Sequence, residues 1–100
     1  MEKSVPHYSL PDMQAAIAAD GVHAFTVSAL RGGWAMGLTN ADMLAVIAAL
    51  RSANFYKSMT THNDHRVWQD VYHGFCPNGR IAYIKLTQIA ERIVIQFKEK

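Results

Sequence analysis

The sequence predicts an α+β fold, with N-terminal helices packed on one face of a mainly antiparallel sheet. Three observations lead there. Helix-start signals and apolar positions three and four apart fill residues 9–50. From Phe55 onward the apolar positions alternate with period two. The segments between the alternating runs are too short for a crossover, so neighbouring runs must be antiparallel. Helices followed by strands is the α+β pattern.

Ser9-Leu10-Pro11-Asp12 opens the first helix, with a Ser cap, Pro in the first turn and Asp three residues on. Met13, Ala16 and Ile17 share a face, and Gly21 ends the helix. Val22 to Phe25 is read as a short strand. Thr26 caps a second helix carrying Val27, Leu30 and Trp34, which Gly32 and Gly33 interrupt. Thr39-Asn40-Ala41-Asp42 is a capping-box start, followed by a stripe of Met43, Leu44, Ile47 and Leu50. The strands are Phe55–Thr61, Arg66–His73, Arg80–Thr87 and Arg92–Lys98. Pro77-Asn78-Gly79 is turn chemistry between two of them.

A chain of 100 residues, half of them apolar and 18% charged, is expected to form a single domain over residues 1–100. That length excludes a second, cofactor-binding domain. One cysteine, Cys76, excludes an internal disulfide framework and fits a reducing compartment. Residues 1–7 lack the apolar core of a leader, and no apolar run approaches ~18–20 residues. The expectation is a cytoplasmic protein with no membrane partner. Charge is uneven. Residues 1–50 hold two Lys or Arg against four acids, and residues 51–100 hold eight against four. A basic half points weakly to an anionic partner.

Strand parity sharpens that hint. In the last strand Ile93, Ile95 and Phe97 share one face, and in the strand before it Ala82, Ile84 and Leu86 do. Both faces of the first two strands are mixed, so their parity stays open. One consistent choice puts Lys57, Met59, Gln69, His73, Tyr83, Lys85 and Lys98 on the uncovered side, with no carboxylate among them. A solvated sheet face has the same composition. A phosphodiester site is the functional reading. Lysines stabilise charge on a reacting phosphate, and Tyr and His exchange protons. A face without carboxylates disfavours a magnesium site.

Other features carry less. Tyr56 lies on the parity opposite Lys57, which suits packing unless a twisted edge brings it round. Trp68 and Tyr72 are read as core-facing. His62-x-x-His65 with Asp64 is the one grouping that resembles metal ligands, and it lacks a defined set. Cys76 has no His and acid partners to make it a nucleophile.

Phe55-Tyr56-Lys57-Ser58-Met59-Thr60-Thr61, then Asp64-His65 and Trp68-Gln69-Asp70-Val71-Tyr72, resemble the MqsR family of motility quorum-sensing regulator toxins. Tyr83-x-Lys85-x-Thr87, Phe97-Lys98-Glu99-Lys100, Met1-Glu2-Lys3 and Pro6-His7 agree. The resemblance spans the chain, and its specificity lies in residues 55–87 and 97–100. It implies a RelE-like ribonuclease fold and the toxin of a type II toxin–antitoxin module. That toxin would be a metal- and ribosome-independent endoribonuclease cutting single-stranded mRNA at GCU-like sites, using no cofactor. A cognate MqsA-like antitoxin, zinc- and DNA-binding, would neutralise it, so DNA would be met only through that partner. The implied catalytic positions are Lys57, Gln69 and Tyr83. Lys98, His73, Tyr56, Met59, Lys85 and Arg80 are the expected RNA contacts. A family arginine is His73 here, the turn to Gly79 is one residue longer, and His62 replaces a tyrosine. The alternatives are a non-catalytic RNA- or antitoxin-binding module, and a metal-dependent hydrolase built on the His62–His73 region.

Overall fold

The computed structural model describes residues 1–100. A two-residue strand β1 (Glu2–Lys3) precedes helices α1 (Leu10–Asp20), α2 (Val27–Ala35) and α3 (Asn40–Ala48). Strands β2 (Phe55–Thr60), β3 (Trp68–Phe75), β4 (Ile81–Ile89) and β5 (Arg92–Glu99) follow. The five strands form one antiparallel sheet in the order β1-β2-β3-β4-β5.

The helix starts form as local chemistry dictates. Ser9 accepts from the Asp12 amide, Thr26 from Ala29, and Thr39 and Asp42 make a reciprocal capping box. Residues 22–25 correct the expected strand. Gly21–Ala24 is a 3-10 turn, and Phe25 alone bridges to Ile95. The link between α1 and α2 is six residues long and spends four of them on that turn, which leaves only Phe25 and Thr26 extended.

Gly32 and Gly33 do not interrupt α2; they let it sit down. A Cβ on Gly32 would lie 2.0 Å from the Phe97 carbonyl oxygen, and one on Gly33 2.0 Å from the Met43 sulfur. Close approach of helix backbone to β5 and α3 therefore requires both. The same approach turns Val27 and Trp34 outward, 65% and 52% exposed, although the sequence pattern put them on the apolar stripe. Trp34 instead donates its indole N–H to Asn40.

The core lies between the helices and one sheet face. Met13, Ile17, Met43, Val46 and Ile47 pack against Tyr72, Ile84, Leu86, Ile95 and Phe97. Fully burying each large apolar side chain contributes about 1.5–3 kcal/mol. Asp70 is the one buried charged residue. Its carboxylate accepts the His7 and Tyr8 amides at 3.0 and 2.8 Å and the Ser58 hydroxyl at 2.6 Å, tying residues 7–8 to the sheet.

Strand ends differ from the sequence reading by one or two residues everywhere except at Phe55 and Arg92, and β3 is displaced at both ends. Arg66 stays out of β3, because its amide and guanidinium both bind the Asp64 carboxylate in the preceding turn. At the other end Gly74 and Phe75 extend β3, and Gly74 fits because a Cβ there would collide with Val46. β2 carries a register shift between Phe55 and Lys57. The bulge sends Phe55 to the core side, edge-on to Tyr72 at 5.5 Å, rather than to the face of Lys57.

Candidate active site

The register sets the open sheet face in three rows about 7 Å apart, two residues of strand rise each. The first row runs Glu2, Met59, Gln69, Thr87, Val94. The second runs Lys57, Val71, Lys85, Gln96. The third holds His73, Tyr83 and Lys98. The bulge adds Tyr56 to that row, stacked on the His73 ring at 4.6 Å and 25°. Tyr56 is 53% exposed, so the packing role its parity suggested is corrected.

Val71 is fully buried on this face, so the second row has an apolar floor beneath its lysines. The Lys85 and Lys98 ammoniums lie 6.0 and 5.5 Å from the Tyr83 ring centroid. Burial, with Lys98 and Lys57 nearby, pushes the Lys85 ammonium below its ordinary range. Like charges gathered on one face favour binding of an anion. No carboxylate pairs with Lys85 or Lys98. A cleft of about 150 Å³ opens beside them, lined by Ser28, Ala29, Tyr83, Lys85, Gln96, Phe97 and Lys98. The His73 imidazole is pushed down by burial first and then by Lys100, which keeps it neutral near pH 7.

Lys57 has a partner the sequence reading missed. Its ammonium lies 2.8 Å from the Glu2 carboxylate. That hydrogen bond raises the lysine's pKa and lowers the glutamate's. The expectation of a face without carboxylates is therefore overturned. Strand parity had no way to place Glu2, because a two-residue strand has no periodicity and its partner is more than fifty residues away. The opening Met1-Glu2-Lys3 in the resemblance was the one available signal.

Arg80 does not join the face. It precedes β4 on the parity of Ala82, paired with Glu99 at 3.1 Å. Cys76 is buried with its thiol pushed up by burial, unlike a nucleophile. Trp68 lies on the helix-side parity but under the N-terminal segment, stacked on His7 at 5.4 Å with Lys3 over its ring at 4.1 Å. Asp64 is committed to Arg66, and no three His, Cys, Asp or Glu side chains converge as a metal site needs.

Three helices behind a five-stranded antiparallel sheet form an α+β fold consistent with the RelE-like toxin fold. The family model described as "Motility quorum-sensing regulator, toxin of MqsA" matches residues 5–99. The chain is 41% identical over 100 residues to the mRNA interferase toxin MqsR of Escherichia coli (strain K12), covering 100% of each. It belongs to the MqsR toxin family.

Proposed function

We propose that this chain, acting as one toxin domain over residues 1–100, is an endoribonuclease that cuts single-stranded mRNA and is neutralised by an MqsA-like antitoxin. The observation that carries the reading is the cluster of three lysines, two of them without an acid: Lys57 and Lys85 share the second row, Lys98 flanks Tyr83 in the third, and Gln69 lies in the first. Such a cluster fits a phosphodiester in the second row.

In the proposed reaction Gln69 orients the 2′-hydroxyl, whose oxygen attacks the adjacent phosphorus. Lys57 and Lys98 stabilise the charge that builds on the non-bridging oxygens. The bond from phosphorus to the 5′-oxygen breaks, and that oxygen takes a proton from Tyr83. The products are a 2′,3′-cyclic phosphate and a 5′-hydroxyl end. The chemistry needs no oxidant, metal or cofactor. Tyr56 and His73 offer a stacking surface to an unpaired base, and Met59 an apolar contact. A preference for GCU-like sites, independence of the ribosome, and a zinc- and DNA-binding antitoxin complete the reading.

The test is cleavage of a long unstructured RNA in excess chelator, with ends mapped, beside Lys57→Ala. Discrete cuts with cyclic-phosphate ends, lost in the variant, support the reading. Binding without cleavage supports a non-catalytic module, and loss of cleavage in chelator a metal-dependent hydrolase. Lys57 is half-buried and its ion pair is with the exposed Glu2, a contact that contributes little to stability, so the melting temperature of Lys57→Ala stays close to that of the wild type.

A further inference from the structure

The Glu2 carboxylate is the unexplained group on this face. It is the one side-chain carboxylate in the three rows, and it points at the ammonium of Lys57 at 2.8 Å. It is 63% exposed, so no buried network demands it. A surface ion pair of this kind contributes little to stability. Yet its strand is fastened at both ends. Glu2 and Lys3 pair with Met59 and Ser58, the Thr60 amide donates to the Met1 carbonyl, and the Met1 α-amino group donates to the Thr60 hydroxyl. Asp70 then anchors residues 7 and 8. The carboxylate is held on the face from two sides.

Its place relative to the proposed phosphate matters more. The phosphate occupies the row of Lys57 and Lys85. Tyr83, the donor to the leaving oxygen, lies in the row on one side. Glu2 and Gln69 share the row on the other side, with Met59 between them. In-line displacement puts the attacking and leaving oxygens on opposite sides of phosphorus. The attacking oxygen therefore falls in the row of Glu2 and Gln69.

We propose that Glu2 is a further catalytic residue, the general base that takes the proton of the 2′-hydroxyl as its oxygen attacks. This rests on the endoribonuclease reading above. The 2′-O–H bond breaks toward a Glu2 oxygen while the 2′-oxygen bonds to phosphorus. The departing 5′-oxygen is protonated by Tyr83, and water returns the proton from Glu2 to the phenolate. Nothing else is consumed. Lys57 acts on both partners. Before RNA binds it keeps Glu2 ionised. When the phosphate takes up the ammonium's charge, Glu2 loses part of that hold and becomes a stronger base as the reaction needs it. The charged groups facing Glu2 are Lys57 and the Met1 α-amino group, and no other acid faces it.

The experiment compares wild type, Glu2→Gln and Glu2→Asp in chelator, with single-turnover rates from pH 4 to 8. Binding is measured on RNA carrying a 2′-deoxy nucleotide at the cut site. A general base is typically responsible for about 10²–10⁴-fold in rate. The expected result is a loss of about 10²-fold or more in Glu2→Gln, unchanged binding of the deoxy probe, disappearance of the acid limb of the pH profile, and partial recovery in Glu2→Asp. Equal rates for wild type and Glu2→Gln overturn the inference. So does a faster Glu2→Gln, which would show the carboxylate masking Lys57. A wild type that leaves RNA intact overturns the endoribonuclease reading and this inference with it. That outcome is distinguished from the others because the wild type itself fails.

Discussion

The Ser58 hydroxyl donates to the Asp70 carboxylate across 2.6 Å, in a pair that stands opposite on β2 and β3 and is shut away from water. The same carboxylate takes two amides from the N-terminal segment. Asp70→Ala strands all three donors. Hydrogen bonds to a charged group and the cost of unpaired buried donors predict a loss of about 2–4 kcal/mol. Urea denaturation measures it. A loss below about 1 kcal/mol would mean that water replaces the carboxylate.

Gly32→Ala tests the seat of α2. In an open helix this change gains up to about 1 kcal/mol. Here the new Cβ meets the Phe97 carbonyl at 2.0 Å. Overpacking against backbone predicts a net loss of about 1–3 kcal/mol. A stabilised variant in thermal melts would show that α2 does not sit as closely on β5 as described.

Ala90 carries the one positive φ outside glycine, +52°, in the β4–β5 turn. The left-handed region costs an alanine about 1–2 kcal/mol. Ala90→Gly relieves that and returns part of the gain through a freer unfolded chain. The expected gain is a few tenths to about 1 kcal/mol, read as a raised midpoint in denaturant.

His73 gives stability a pH dependence of known sign. Its folded-state pKa lies below the ordinary 6.5, through burial and Lys100. The unfolded chain therefore binds this proton first as pH falls. The contribution is complete above about pH 6.5 and is lost as pH falls from there through the lower folded value. His73→Asn should flatten the stability–pH curve in that window. An unchanged slope assigns it to other groups.

Lys85 and Lys98, free of acids, should each hold a phosphate. Replacing either by Gln is expected to reduce the slope of log affinity against log salt by about 0.7 for single-stranded RNA. Arg80→Gln, already paired with Glu99, serves as the control with little change in slope. Equal slopes for all three variants would remove the lysine cluster from the RNA path.

Much of this fold is local, and what is local was legible. Caps at Ser9, Thr26 and Thr39 act within three residues, so their helices start where the sequence places them. Alternation in Ile93-x-Ile95-x-Phe97 and Ala82-x-Ile84-x-Leu86 correctly separated the two faces of β4 and β5, and with them Tyr83, Lys85 and Lys98. The unread features are set by distant partners. The bulge that moves Tyr56 beside His73 follows from fitting Phe55 into the core. Phe97 explains Gly32, and Lys57 explains Glu2.

The order of the sheet also sets an order of assembly. β2 through β5 each pair with the next strand along the chain, so they close as successive short hairpins. β1 must instead find β2 across a loop holding every helix, and loop closure grows costlier with length. Contacts this far apart in sequence form late and open early. The Thr60 amide, bonded to the Met1 carbonyl, is thus expected to exchange with solvent ahead of the β3–β4 amides. In a nascent chain the lysines would take their places on a finished sheet before Glu2 arrives beside them.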